Sequence, residues 1–415
     1  MPARAPRALT LSALLLAVVC GASACGGHGG GGAASAGPGG APAASTAAGA
    51  RITVTPAAGA GPVDPGGPVR VAVDGGTLGA VTVTPDGTAA DGVTPVAVTG
   101  ALDPDRHTWT SDRTMTPGTA YTVRVTAQDP AGRRTQTART FRTAPAGKVN
   151  GVSVTPLNHA VAGVGLPVSL AFDTPVGPAG RAAVEKALTV TTSPAVHGGW
   201  GWLTDPLTGV QRVDWRPDAY WKPGTRVTLT ARLSGVDTGG HRYLRRDIHD
   251  AFTIGTARIS YANLRTHTLR VTENGRTVRT LPMSGGRPDY PTWNGAMVVL
   301  AKQSTVRMTS ASVDIATSKD SSDFYDEDVR YAVRLTTSGT FVHAAPWNDA
   351  LMGRANGSHG CIGMSTADAT WFFGRAVPGD VVVATGSTRA TVQAGNGYGD
   401  WNLTADQWRA LSALS

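Results

Sequence analysis

The chain has little cysteine, few aromatics and no long apolar run. Its three cysteines are Cys20, Cys25 and Cys361. Two fall in the first 25 residues, so Cys361 stands alone in the body and no disulfide framework holds the fold together. Aromatics make up 6% of the chain, and the basic residues behind its net charge of +8 are scattered. A stacking platform or basic stripe for nucleic acid is therefore missing, and nucleic acid is excluded as a partner. A basic exterior suits an anionic wall polymer or lipid head groups, or serves solubility alone. The apolar run at residues 9–19 is too short to span a bilayer, which takes about 20 residues. No histidine has the cysteine or carboxylate spacing of a metal site. His241 and His249 in "HRYLRRDIHD" read as part of a solvated hairpin, and His28 as inert linker.

The short apolar run has another reading. Arg4 and Arg7 precede it, and Ala22-Ser23-Ala24 follows it. This is the layout of a secretory signal over residues 1–24. The same tripeptide with Cys25 resembles a bacterial lipobox, with Ala22 where Leu is usual. Both readings cut before Cys25. One leaves Cys25 acylated and the protein tethered to the outer face of the plasma membrane; the other gives simple secretion. Either way the compartment is extracytoplasmic. Residues 25–49 form the anchor cysteine and a Gly/Ala-rich flexible linker.

Gly (53 residues) and Pro (27 residues) are abundant, with Thr and Val, which favours short strands and turns over helices. Two stretches repeat. Trp109 precedes Pro117-Gly118-Thr119 at the spacing by which Trp215 precedes Pro223-Gly224-Thr225. "PVRVAVDGG" from Pro68 matches "PVSLAFDTP" from Pro167, and Phe141 and Phe252 close the two units. The expected architecture is all-β. Two tandem immunoglobulin-like β-sandwiches (50–147 and 148–255) act as spacers, with their tryptophans in the cores. A further β-sandwich unit with one or two short helices covers 256–388, and an extension covers 389–415. Asn274-Gly275 marks a hairpin turn. Ser365 and Asp368 start a helix that Pro378-Gly379 ends, and Thr404 caps a short helix in the tail.

An exposed thiol is a liability outside the cell, so Cys361 in "SHGCIGM" needs a chemical reason. A thiol becomes a nucleophile when its pKa is lowered or a base stands beside it. His359 is adjacent. His343 lies at the end of a strand, before "AAPWNDALMGRANGS", a loop long enough to fold back and present its imidazole. Gly360 removes a side chain where a carbonyl must approach. The N–H groups of the turn offer an oxyanion hole.

His343, the loop and "SHGC", with "FVHAAPW", "PTWNG" and "VRM", resemble the YkuD-type L,D-transpeptidases of actinobacterial cell walls. The resemblance covers residues 256–388, the tail and the two sandwiches. It implies that Cys361 is the nucleophile and His343 the general base and acid, oriented by the Ala344 carbonyl. His359, Gly360 and Cys361 supply oxyanion N–H groups. Tyr325, Met308, Ser338 and Gly339 line the donor-peptide site. The family usually has Asn or Arg two residues after the cysteine. Gly363 stands there, so a side-chain contact at that substrate-binding position is missing or comes from elsewhere. The implied partners are peptidoglycan tetrapeptide stems as donor and acceptor, carbapenems as covalent inhibitors, and the membrane through Cys25. No cofactor or metal is implied. The implied reaction joins the third residues, meso-diaminopimelates, of two stems, with release of D-alanine. A wall cysteine peptidase and a non-catalytic wall-binding protein remain the alternatives.

Overall fold

The computed structural model describes residues 49–87, 92–313 and 315–415. The leader, Cys20, Cys25 and nearly all of the linker lie outside those residues.

The first repeat folds because apolar residues alternate along its strands. In Ala120–Gln128, Tyr121, Val123, Val125 and Ala127 are buried. They face Val71, Val73 and Trp109 of an opposing sheet. One sheet holds Thr77–Pro85, Ala120–Gln128 and Arg134–Arg142; the other holds Arg51–Thr55, Arg70–Asp74, Thr108–Ser111 and Gly100–Leu102. The second repeat packs two four-stranded sheets. Gly198–Thr204, Gln211–Pro217, Val168–Phe172 and Val152–Thr155 make one. Val161–Ala162, Ile248–Ile254, Arg226–Ala231 and Leu188–Ser193 make the other.

The repeat is legible in detail. Trp109 and Trp215 are both buried, as are Phe141 and Phe252. Gly100 and Gly198 lie against the two indoles, where any side chain would strike the ring. The glycines of both Pro-Gly-Thr turns have positive φ, +67° at Gly118 and +79° at Gly224.

Two features of the second repeat differ from expectation. Residues Pro178–Lys186 form a helix, started by Pro178 in its first turn and carried by an Ala-rich run. The "HRYLRRDIHD" segment is no solvated hairpin. Its Tyr243 and Leu244 are buried. Tyr243 donates to Asp64 at 3.0 Å, and Asp247 pairs with Arg113 at 2.9 Å. The charged majority of the segment masked an apolar pair and two polar anchors that meet the first repeat.

The third unit packs a five-stranded sheet against a four-stranded one. The first contains Arg276–Pro282, Thr268–Glu273, Arg258–Asn263, Val381–Thr385 and Gly295–Val298. The second contains Ala301–Thr309, Asp326–Arg334, Phe341–Ala344 and Ile362–Met364. Asn274 and Gly275 form the expected turn, both with positive φ. The helix Thr366–Arg375 starts where the Ser365 hydroxyl accepts the Asp368 N–H, and it buries Ala369 and Phe372. Thr404 and Gln407 form a reciprocal capping box on the helix Ala405–Arg409.

The second repeat is not a spacer. Val164 and Leu166 share one buried cluster with Val298 and Val381 of the third unit. Gly163 and Gly165 N–H groups donate to the Pro378 and Gly379 carbonyls at 2.8 Å. The tail then returns across the outer face of the second repeat. Trp401 donates to the Gly165 carbonyl at 2.7 Å, and Trp408 to the Gly199 carbonyl at 2.9 Å. Arg212 pairs with buried Asp214 at 2.6 Å and donates to the Gly395 and Gly397 carbonyls. Arg216 lies 3.3 Å from Asp400, both buried.

Candidate active site

The parallel pairing of Phe341–Ala344 with Ile362–Met364 places the candidate residues. Val342 lies opposite Ile362 and His343 opposite Gly363. Side chains alternate faces along strands, so Cys361, two residues before Gly363, shares the face of His343. The loop between them folds back through a short 3₁₀ turn, Pro346–Leu351. Both residues line one open cleft of about 840 Å³.

His343 is buried, and its Nδ1 lies 2.8 Å from the Ala344 carbonyl oxygen. A carbonyl can only accept, so Nδ1 carries the proton and Nε2 keeps a lone pair. Burial lowers the pKa of the imidazole and the Ala344 bond opposes that. His343 is therefore neutral at neutral pH and able to take a proton at Nε2. Trp347 stacks on it with ring centres 6.1 Å apart.

The Cys361 thiol donates to the Gly339 carbonyl at 3.5 Å. Burial pushes its pKa up to about 11, opposed by a hydrogen bond from the Phe341 backbone. Among the described residues no hydrogen bond joins the sulfur to His343. The pair is a neutral thiol beside a neutral base rather than a thiolate–imidazolium pair.

Ser358 fixes the turn before Cys361. Its hydroxyl donates to the Cys361 carbonyl at 2.7 Å and accepts the Gly360 N–H at 3.1 Å. Gly360 has φ +114°, which other residues rarely adopt. The Gly360 N–H, expected as an oxyanion donor, is instead the donor that holds this turn.

Tyr325, Met308, Ser338 and Gly339 all line the cleft with Cys361. Gly363 does not. Its N–H and carbonyl both bond Ser284, and the space a side chain would take faces Ala345, Ser284 and Met352. The His359 ring lies between Tyr290 and Tyr325, each centred 5.1 Å away, with Nε2 3.7 Å from Asp323. Asp323 also accepts from Tyr290 at 2.9 Å and pairs with Arg287. Desolvation pushes the Tyr325 phenol up to about 12, reinforced by Cys361, so it stays protonated.

Among the cleft residues that sequence reasoning missed are Leu207, Tyr290, Phe324, Trp347 and Arg389. Trp347 stood inside a quoted motif, so a signal existed. Leu207 belongs to the second repeat, and nothing local in the sequence announces it. That repeat also supports the cleft from behind. Arg212 clamps the carbonyls on either side of Asn396. Asn396 in turn accepts from Thr337 Oγ1 and the Ser338 N–H, and donates to Ser338 Oγ at 2.8 Å. The next residue is Gly339, whose carbonyl holds the thiol. Among the described residues no group of three or more His, Cys, Asp or Glu is placed to hold a metal.

Known proteins were compared with the whole chain. A bacterial Ig domain model matches residues 60–237, and an L,D-transpeptidase catalytic domain model matches residues 257–383. L,D-transpeptidase 2 of Mycobacterium tuberculosis (strain CDC 1551 / Oshkosh) is 34% identical over 410 residues, covering 99% of this chain and 96% of the relative. L,D-transpeptidase 5 of Mycobacterium tuberculosis (strain ATCC 25618 / H37Rv) is 33% identical over 88% of this chain and 77% of the relative. A solved structure of LD transpeptidase LdtMt1 in complex with imipenem is 36% identical, covers 57% of this chain and 100% of its own, and has a TM-score of 0.49.

Proposed function

The chain belongs to the L,D-transpeptidase family, and on that premise we propose that it cross-links the third residues of two peptidoglycan stems through a thioester on Cys361. The observation that carries this reading is the tautomer lock. The Ala344 carbonyl keeps the proton on Nδ1 of His343, so Nε2 is a base on the same face as the thiol.

The thiol proton passes to His343 Nε2 as the sulfur attacks the carbonyl of the third residue, a meso-diaminopimelate, in a tetrapeptide donor. The backbone N–H groups of Cys361 and His359 stabilise the oxyanion, each such donor contributing about 3–4 kcal/mol. The bond to the fourth residue breaks. The imidazolium gives its proton to the leaving amine, D-alanine departs, and the thioester remains. The side-chain amine of a second stem's diaminopimelate then attacks the thioester and loses a proton to Nε2. The new amide forms and the sulfur takes the proton back. The neutral pair suits this sequence because it avoids a standing thiolate in an oxidising compartment.

The same nucleophile opens a strained β-lactam, so carbapenems are expected to acylate Cys361. The leader reading places the enzyme outside the plasma membrane, anchored through Cys25. Incubation of the purified protein with disaccharide-tetrapeptide, read by mass, tests the function. Dimer with released D-alanine supports it. Tripeptide alone makes the protein a hydrolase, and no product with no adduct makes it a wall-binding protein.

A further inference from the structure

Arg389 is used by no step of the reaction above, yet it lines the same cleft. Its guanidinium carbon lies over the Trp293 ring, 3.5 Å from the ring centre. Its main chain is pinned: the N–H donates to Ser387 Oγ at 3.2 Å, and the carbonyl accepts from Asn294 at 2.5 Å. One terminal nitrogen lies 4.0 Å from where a Cβ on Gly360 would sit, beside the residue that precedes the nucleophile. Two other arginines line the cleft, and both are committed. Arg307 pairs with Asp326, and Arg334 donates to the Thr336 and Thr337 carbonyls. Among the described residues the Arg389 guanidinium donates only to the Pro291 carbonyl, at 3.3 Å, and pairs with no carboxylate. Its surroundings disfavour its charge through burial with no acidic group to offset it.

A guanidinium that is stacked, pre-oriented and left without a counter-ion is arranged to receive a planar anion. We propose that Arg389 is a carboxylate-binding residue of the donor site, taking the terminal carboxylate of the leaving residue next to the scissile bond. The inference rests on the donor stem named above. That stem offers a second carboxylate of the same chemistry on diaminopimelate itself, and the test separates the two. Arg389 then selects stems that end one residue beyond the scissile carbonyl, because only those place a carboxylate within its reach.

The experiment uses the full exported chain carrying Cys361→Ala, so that binding is read without turnover. Calorimetry compares three stems: the free acid, its terminal carboxamide, and the stem amidated on diaminopimelate. The free acid should bind about 10- to 100-fold more tightly than the terminal carboxamide, as expected for a charge-assisted contact. Arg389→Gln, which keeps a planar side chain on Trp293, should abolish that preference and leave the carboxamide's affinity unchanged. Arg389→Lys should retain part of it. A preference tracking the diaminopimelate amide, and lost in Arg389→Gln, overturns the terminal assignment and moves the contact to the other carboxylate. An undiminished preference in Arg389→Gln, or equal weakening of all three stems, overturns the proposal. Turnover by the chain with Cys361 intact is assayed separately. Its absence there rejects the transpeptidase reading without touching the binding result.

Discussion

The two immunoglobulin-like repeats carry the same tryptophan with different neighbours. In the first repeat it is flanked by Thr108 and Thr110, both partly exposed; in the second, by Asp214 and Arg216, both buried. Trp109 and Trp215 point inward in each case and make the sandwich. The flanking residues point outward, and there the repeats part. The outer face of the second repeat is covered by the tail, through Arg212, Arg216, Trp401 and Trp408. Among the described residues, the first repeat contributes none to the lining of the cleft. It meets the second through polar contacts such as Arg113 with Asp247 and Thr116 with Ser234. The two repeats share the inward residues that specify the fold and differ in the outward ones, which in the second repeat join it to the catalytic unit.

This contrast can be broken from either side. The largest effect lies at the chemistry. His343→Ala should slow acylation of Cys361 by about 10²–10⁴-fold, read by intact mass over time. His107→Ala in the first repeat should leave the rate unchanged. Next comes the clamp. Arg212→Ala leaves Asp214 buried without its partner and should cost about 3–5 kcal/mol in denaturant unfolding. Thr108→Ala, on the equivalent strand of the first repeat, should stay within about 0.5 kcal/mol. A smaller effect is expected at Asn396→Ala, which frees the Thr337–Ser338 turn. It should destabilise by about 1–3 kcal/mol and slow acylation more than this loss of folded protein explains.

The last is a pH effect, centred on the second repeat's seam. Burial, reinforced by Asp214, raises Asp400 to about 7, well above the unfolded carboxylate value of about 3.9. The folded state therefore holds this proton more tightly. The stability it contributes is complete below about pH 4 and is lost as pH rises through 7. Tm should fall between about pH 4 and 7, and Asp400→Asn should flatten that slope. What remains at the acid end belongs to Asp380, which burial raises to about 6 against the pull of Arg258.

Much of this was legible in the sequence because it is local. The eight-residue spacing from Trp to Pro-Gly-Thr, the Ser365 cap and the Thr404 capping box each involve near neighbours, and the structure reproduces them. Cys361 and His343 were legible as a candidate pair because one strand–loop–strand segment holds both. Contacts between distant segments were not. Nothing near Leu207 says that it reaches the cleft, and nothing near Arg212 says that it grips residues 395 and 397. Arg389 gave no signal because its meaning depends on Trp293 and Gly360. The Gly360 N–H was misjudged because its engagement depends on the rotamer of Ser358.

The central claim is that the second repeat and the catalytic unit are one working body while the first repeat is appended to it. Intact-mass measurement of Cys361 acylation by a tetrapeptide stem tests this on three chains: the exported protein, the same protein lacking residues 50–147, and a fragment of residues 256–415. The account predicts indistinguishable acylation rates for the first two and no acylation of the fragment, whose tail and cleft wall have lost Arg212, Leu207 and Val164. A fragment acylated as fast as the exported protein would contradict it.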